Sequence, residues 1–426
     1  MTVKYVLQIA TVTLCAGALV LGASGANAAT GVARRPTATP RPPRPTATPV
    51  VAPTGTPQPG PVCWSVVNAP VLPGNETVLT SVHGSGPNDV WAVGYTTFAG
   101  ARQTLTMRWN GAAWAVVPSP NPLPASDSTI NALYGVTAIS PTDAWAVGYS
   151  ASNSQSYATL TMHWNGSQWQ IVPSPNLPQS RPDVYNALNS VSATSATDVW
   201  AVGGAPSDFR VASRAVLMHW DGAAWSITPE PAETGLWSTS GRTGVTAVAG
   251  NDVWTVGEFN AFHWNGSAWS VPAGFSGQKL LGIDHSGPDN VWSVGSIPLT
   301  IISEGGAYPG SATTNRFNGS AWSTINPVRP NTNDSYGFSG VSAVSPTNAW
   351  AVGFNGRFTL TQQWDGSAWR IVASANGNAN PSPDAPISNQ LFGVHANSAT
   401  DIWAVGAYWD SAFTNRSALI ERYVCQ

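Results

Sequence analysis

Short apolar segments separated by turns recur along the chain from residue 63 onward. In the shortest recurrence, these segments cover residues 245–248, 253–257, 261–264 and 268–271. Their side chains alternate with a period of two, which is the period of a β-strand. Asn265-Gly266, between the third and fourth segments, is a strong hairpin signal because both positions of such a turn need a positive φ. Each recurrence is therefore predicted to be a four-stranded antiparallel meander, with strands a to d in chain order.

Two phrases mark these recurrences. The first, with the consensus Asp-Val-Trp-Ala-Val-Gly, begins at Asp89, Asp143, Asp198, Asp252, Asn290, Asn348 and Asp401. The second, an aromatic residue, Asn-Gly or Asp-Gly and then a tryptophan, begins at Trp109, Trp164, Trp220, Trp264, Phe317 and Trp364. Strand alternation puts Trp and Val of the first phrase on one face and Ala and Gly on the other, so meanders can stack bulky face on small face. The predicted fold is all-β, a seven-bladed β-propeller.

The two ends of the repeat region complete each other. The seventh recurrence ends after strand c, whereas the region begins with an unpaired strand d that contains Trp64. In this alignment Tyr423 takes the place of Trp109, and Cys63 and Cys425 fall where the Asn-Gly turn would be. We therefore predict a Cys63–Cys425 disulfide that closes the ring in place of a turn.

Three regions follow from composition. Residues 1–28 have a basic start, an apolar middle and an Ala-x-Ala ending, which predict a secretory signal peptide or, alternatively, an uncleaved membrane anchor. Residues 29–62 hold ten prolines and predict a disordered linker. Residues 63–426 form the predicted propeller. We expect an exported chain, extracellular or at the cell surface, in which any membrane contact is made through the N-terminal segment.

Charge restricts the partners. After residue 62 the chain carries 13 basic and 21 acidic residues, a formal balance of −8. Such a domain lacks the basic surface that phosphate backbones require, so nucleic acid is excluded as a partner. We expect a monomer without a cofactor.

The repeat pattern resembles that of tectonin-type propellers. The resemblance rests on the aspartate turn, Val-Trp-x-Val and the strand that ends in Trp-Asn-Gly-x-x-Trp, and it extends over residues 63–425. Tectonin-like propellers are often lectins, so the resemblance implies carbohydrate binding. It identifies no particular sugar-binding residue.

The candidate binding residues lie where the b–c and d–a connections meet, here called the loop face. These connections are expected to be long and variable, whereas the a–b and c–d turns are tight. Arg102, Arg357 and Arg416 each stand three residues before the same apolar position of strand c, and Tyr157 takes that place in the second recurrence. They are predicted to grip hydroxyl or carboxylate groups. The alternative is that each hydrogen-bonds a neighbouring loop.

Aromatic residues in or next to these connections are candidates for stacking on sugar rings. The principal candidates are Trp237, Tyr408 and Trp409. The wider set adds Tyr95, Phe98, Tyr149, Phe209, Tyr308, Tyr336 and Phe354. The alternative is that most of them pack against their own loops.

Histidines occupy two repeated positions. One set precedes the aromatic residue of strand c, where arginine and glutamine also occur, which favours a polar edge over a metal site: His163, His219 and His263. The other belongs to a strand-a position predicted to form a polar ring near the axis: His83, Thr137, Ser192, Thr246, Asp284, Ser342 and His395. We interpret this ring as internal hydrogen bonding, with an ion or small ligand as the alternative.

No catalytic set is apparent. Glycoside hydrolysis usually needs two carboxylates at a defined separation, and the loop-face acids Glu258, Glu304 and Asp410 share no motif. The prediction is a binding module without enzymatic activity that takes a glycan through the loop face. The alternatives are a protein-adhesion scaffold, with an extracellular protein as partner, and a polysaccharide-active enzyme.

Overall fold

The structure is a computed structural model. It describes residues 63–153, 155–178, 185–204, 214–231, 241–257, 260–272, 278–297, 300–301, 307–308, 310–330, 334–379 and 388–425. The predicted signal peptide and linker lie outside these residues. Within the described ranges, no helix is long and apolar enough to cross a membrane.

Thirty strands make up the described part of the chain. In chain order they are β1 (Trp64–Val66); β2 (Glu76–Gly86), β3 (Asp89–Phe98), β4 (Ala101–Trp109), β5 (Trp114–Val117); β6 (Ile130–Ser140), β7 (Asp143–Ser152), β8 (Gln155–Trp164), β9 (Trp169–Val172); β10 (Ala187–Ser195), β11 (Asp198–Gly204), β12 (Val216–Trp220), β13 (Trp225–Ile227); β14 (Arg242–Ala249), β15 (Asp252–Gly257), β16 (Ala261–Trp264), β17 (Trp269–Ser270); β18 (Lys279–Gly287), β19 (Asn290–Ile297), β20 (Thr300–Ile301), β21 (Ala307–Tyr308), β22 (Ser311–Phe317), β23 (Trp322–Thr324); β24 (Tyr336–Ser345), β25 (Asn348–Asn355), β26 (Phe358–Trp364), β27 (Trp369–Val372); and β28 (Asn389–Ser398), β29 (Asp401–Trp409), β30 (Arg416–Val424).

Antiparallel pairing joins the described strands in groups of four, here called blades. Four blades are separate sheets, three are joined by single parallel pairs into a twelve-stranded sheet, and β20 and β21 form a small sheet of their own. Blades 1 to 6 begin with β2, β6, β10, β14, β18 and β24. Blade 7 consists of β28, β29, β30 and the N-terminal β1, which pairs with β30 in the register Trp64↔Tyr423. The first strand of each blade contacts the first strand of the next, and β28 contacts β2. The predicted β-propeller is thereby confirmed, with the N-terminal strand completing the last blade.

Tryptophans form the core between neighbouring blades. The first-phrase Trp91 of blade 1 is fully buried and lies 4.9 Å from Trp164 and 5.0 Å from Trp169 of blade 2, measured between ring centroids. Trp403 of blade 7 meets blade 1 in the same way. Burying one indole removes about 150–250 Å² from water, an upper estimate of ~4–6 kcal/mol. Stacking of bulky on small faces therefore accounts for a large core without helices.

The ring is closed covalently as well as by pairing. Cys63 and Cys425 form a disulfide with a Cα–Cα distance of 5.2 Å and a sequence separation of 362. The Val424 amide also donates a hydrogen bond to the Cys63 carbonyl oxygen at 3.1 Å. This pair is the one predicted from the sequence.

The expectation of long b–c loops is wrong in blades 1, 2 and 6, and in blade 2 Ser152 pairs with Gln155 across only two residues. In blade 1 the connection is the two-residue turn Ala99-Gly100, with φ of 49° and 80°. In blade 6 it is Gly356-Arg357. The residues before and after these turns alternate like strand residues, so they lengthen strands b and c instead of forming loops. Longer connections remain elsewhere, such as residues 118–129 between β5 and β6.

Every strand a carries a β-bulge near its start. In blade 1, Leu79 pairs with Gly94 and the next pair is Ser81 with Val93, so Thr80 has no partner on strand b. The other six blades show the same shift. The glycine that ends the first phrase permits this approach, because a Cβ on Gly94 would lie 1.9 Å from the Val78 carbonyl oxygen. The bulge turns one side chain per blade toward the axis.

Candidate binding site in the central channel

The seven bulge residues form a ring around the axis, here called the bulge ring. Its members are Thr80, Tyr134, Asn189, Thr243, Leu281, Ser339 and Phe392. They are not among the residues predicted from the sequence, although a repeated phrase marks them. Leu133-Tyr134-Gly135-Val136 is one copy, and its second position varies from blade to blade while its neighbours change little. A variable position within a repeated phrase could have identified the ring.

A cavity of about 440 Å³ occupies the channel at this level, and every member of the bulge ring lines it. Its volume lies within the roughly 300–1,000 Å³ of ordinary small-molecule sites. The bulge residues precede the turns in each strand a, so the cavity lies on the loop-face side of the channel.

One wall of the cavity is aromatic. Tyr95, Tyr134 and Phe392 come from blades 1, 2 and 7, which are neighbours in the ring. The Tyr95 and Tyr134 rings are 6.4 Å apart. The Arg416 guanidinium lies 5.5 Å from the centre of the Phe392 ring. This aromatic wall thus combines flat apolar surfaces with one cation.

The opposite wall is formed by small polar and aliphatic residues of blades 3 to 6. Asn189 Nδ2 donates to the Arg242 carbonyl oxygen at 2.8 Å, and Thr243 Oγ1 donates to the Leu280 carbonyl oxygen at 2.8 Å. Each of these bonds links one blade to the next. Ser339 completes this polar wall beside Leu281.

Two of the three predicted arginines meet at one carboxylate. Arg102 Nη2 lies 3.8 Å and Arg416 Nη1 lies 3.5 Å from the Glu76 carboxylate oxygens, and Thr97 Oγ1 donates to the same carboxylate at 2.9 Å. The Arg102 guanidinium also lies 4.1 Å from the centre of the Tyr95 ring. Arg357 stands apart in the turn of blade 6, where its carbonyl oxygen accepts the Asn389 amide at 3.1 Å.

The other predicted binding residues that the structure describes pack against neighbouring residues. Tyr157 lies between Tyr149 and Tyr185, with ring centroids 5.2 and 5.4 Å away. The Tyr408 ring lies against Gly377, where a Cβ would be 2.2 Å from the ring. Trp409 is half-buried, 5.7 Å from the Arg416 guanidinium. The candidates Trp237, Phe209, Glu258 and Glu304 and the side chain of Tyr308 lie outside what the structure describes.

Three phenylalanines are exposed on consecutive blades. Phe358 of blade 6 is 38% exposed, Phe413 of blade 7 is 37% exposed and Phe98 of blade 1 is 60% exposed. All three stand in or beside b–c connections, so they lie on the loop face. Phe98 and Phe413 lie on two of the three blades that supply the aromatic wall, and Phe358 lies on the neighbouring blade 6.

The predicted polar ring, here called the turn-side ring, bonds blade to blade. His83 Nδ1 accepts the Ala138 amide at 3.1 Å, Ser342 Oγ accepts the Ala396 amide at 3.2 Å, and Asp284 accepts an amide of blade 6 at 2.9 Å. The His83 and His395 rings are 4.3 Å apart. Burial lowers the pKa of His395 to about 4. Burial, and then the nearby His395, hold the pKa of His83 well below its usual value.

The strand-c histidines bind the aspartate of the first phrase. His163, His219 and His263 place Nε2 between 2.7 and 2.9 Å from Asp143, Asp198 and Asp252. Arg108 and Arg422 make the corresponding bond in blades 1 and 7. Within the described ranges, no group of three or more His, Cys, Asp or Glu side chains could hold a metal ion.

No family model and no curated protein matches the chain, so the tectonin resemblance remains a prediction. Similar solved structures include YCF48 from Cyanidioschyzon merolae, with 15% identity, a TM-score of 0.48 and coverage of 85% of this chain and 99% of that chain. A GH74 xyloglucanase from Xanthomonas campestris has 13% identity, a TM-score of 0.48 and coverage of 83% and 55%. The six-bladed fucose-recognising lectin of Aleuria aurantia has 13% identity, a TM-score of 0.42 and coverage of 69% and 94%.

Proposed function

We propose that this protein binds carbohydrate in the central-channel cavity. The observation that carries the proposal is the division of the cavity into an aromatic wall with one arginine and a polar wall opposite. A sugar ring has apolar C–H faces and a rim of hydroxyl groups, so it can use both walls at once. Binding sites for small ligands are commonly lined by aromatic side chains with a few polar groups.

The proposal includes export. The sequence predicts a signal peptide or anchor at residues 1–28 followed by a linker. The Cys63–Cys425 disulfide supports it, because such bonds persist in oxidising compartments. An exported binding module would meet extracellular or cell-surface glycans.

The direct test is a glycan array probed with the full chain made under oxidising conditions. The matched control is Ser339→Phe, which fills the cavity from the polar wall. Phe392 holds a ring at the same position of the next blade, so the strand tolerates one there. We expect selective binding by the unmodified protein and none by the folded variant. Absence of binding by the unmodified folded protein, or equal binding by both, would contradict the proposal.

We also propose that the cavity binds without hydrolysis. Where the structure describes the cavity lining, none of the residues is Asp or Glu, whereas glycosidases usually need two carboxylates. Incubation with any oligosaccharide that binds should release no new reducing ends. Release that Ser339→Phe abolishes would favour a polysaccharide-active enzyme instead.

A second candidate is protein adhesion, which the exposed Phe98, Phe358 and Phe413 favour. Exposed aromatic side chains on one face are typical of protein interfaces. Replacing all three by serine should leave glycan binding intact if the cavity is the site. Loss of glycan binding in the folded triple variant would move the site from the cavity to the rim.

A further inference from the structure

The charge around the cavity is opposite in sign to that of the domain. Residues 63–426 carry a formal balance of −8, yet Arg416 is the one charged residue among the described residues that line the cavity. Arg416 and Arg102 share the single Glu76 carboxylate. This group of three therefore has a net charge of +1 next to the aromatic wall.

Arg416 is held in place while its hydrogen-bonding capacity is only partly used. Its side chain is 19% exposed and its Nη1 lies 3.5 Å from Glu76, longer than a strong charged hydrogen bond. Its Nε is buried and has no hydrogen-bond partner among the described residues, so the donors that can reach the cavity are those of the Nη atoms. The Phe392 and Trp409 rings, 5.5 and 5.7 Å away, keep the guanidinium beside the cavity.

Resting on the proposed carbohydrate site, we infer that its ligand is an acidic saccharide whose carboxylate binds Arg416. A guanidinium presents its donors in a planar fork that matches a carboxylate, and such charged hydrogen bonds are about twice as strong as neutral ones. The aromatic wall then takes the sugar ring, and the polar wall takes hydroxyl groups. Arg416 is thus the residue that selects acidic over neutral sugars.

The test is calorimetric titration of the full chain with matched pairs of probes. Oligogalacturonate, oligoglucuronate and sialyllactose are each compared with their methyl esters, which keep the shape and remove the charge. We expect at least one acid to bind tenfold or more tightly than its ester, with affinity falling as salt rises. If neutral glycans bind while no acid exceeds its ester, this inference fails and the proposed function stands. If no acidic or neutral glycan binds the folded protein, both fail.

Two substitutions with opposite expected signs complete the test. Arg416→Gln should weaken binding of the acid tenfold or more and thereby abolish the preference for the acid over its ester. Glu76→Gln should strengthen binding of the acid, because it removes the carboxylate that Arg416 shares; a folding defect would not mimic this gain. Arg370→Gln is the charge-matched control, since Arg370 is 73% exposed on the outer strand β27. Unchanged binding in Arg416→Gln, or weaker binding in Glu76→Gln, would overturn the inference.

Discussion

The bulge ring and the turn-side ring lie on the same seven strands. All seven members of the turn-side ring are polar, whereas the bulge ring includes the apolar Leu281 and Phe392. Ser339 and Ser342 of β24 illustrate the contrast. Ser342 accepts the Ala396 amide of the next blade, whereas Ser339 lines the cavity. On this strand, a position that joins blades and a position that lines the cavity are thus three residues apart.

The two rings differ in how much the residue type varies from blade to blade. Apart from the two histidines and Asp284, the turn-side ring is serine or threonine, residues short enough to reach the neighbouring backbone. The bulge ring ranges from Ser339 to Phe392 and Tyr134. Its threonines and Asn189 still donate hydrogen bonds to the next blade. The members without this blade-joining role therefore lie in blades 2, 5, 6 and 7. Sequence freedom at a structurally fixed position is typical of a site whose shape sets specificity.

The largest expected effect is on the stability of the whole propeller, which carries both rings. Replacing Cys63 and Cys425 by serine opens a loop closed over 362 residues, which costs about 6 kcal/mol in the chain-entropy model. Chemical denaturation followed by tryptophan fluorescence should show this loss in free energy of unfolding. A double variant as stable as the unmodified protein would mean that strand pairing alone closes the ring.

Acid should destabilise the turn-side ring at its two histidines. His83 and His395 have lowered pKa values in the folded state, so the unfolded state binds protons more tightly. Their contribution is complete above the ordinary histidine pKa of 6.5 and is lost as pH falls toward about 4, by at most ~1.4 kcal/mol per pH unit for each histidine. Denaturation at a series of pH values should show a smaller slope for His83→Gln/His395→Gln. An unchanged slope would show that these histidines do not cause the loss of stability in acid.

Glu421 is a buried acid outside both rings, and its effect on stability should have the opposite pH dependence. Glu421 occupies the place in blade 7 that Gln362 has in blade 6, where Gln362 binds the Val328 amide and carbonyl groups at 3.0 and 2.6 Å. Burial raises the pKa of Glu421 well above its usual value, so its carboxyl destabilises the fold increasingly as pH rises. Glu421→Gln should raise the free energy of unfolding by about 1–3 kcal/mol at pH 7. The gain should vanish near pH 4, and a gain independent of pH would contradict this explanation.

Much of the fold follows from local pattern, whereas the site does not. The stacking of Trp91, the pairing of β1 with β30 and the cysteine pair are all implied by repeated phrases whose copies can be aligned. The bulge ring depends on strand register, which a close approach at Gly94 sets and which alternation alone does not reveal. The meeting of Arg102 and Arg416 at Glu76 joins blades 1 and 7, which are far apart in the chain. The two-residue b–c turns could not be predicted, because a longer strand pair and an inserted loop both add polar residues to the sequence.

A small expected effect isolates the turn-side ring on a single strand. Ser342→Ala removes one hydrogen-bond acceptor from the Ala396 amide, which should cost about 1 kcal/mol of stability. Binding at the cavity should be unchanged, since Ser342 is not among the lining residues. Thermal unfolding together with glycan titration measures both quantities. A loss of affinity with stability intact would contradict the division between the rings.

The most direct test of the central claim is to measure glycan affinity and free energy of unfolding side by side for Ser339→Phe and Ser342→Ala. The two positions share strand β24 and lie three residues apart. The account predicts that Ser339→Phe loses binding at nearly unchanged stability, whereas Ser342→Ala keeps its affinity and loses about 1 kcal/mol of stability. Equal binding by both variants, or loss of binding only in Ser342→Ala, would contradict it.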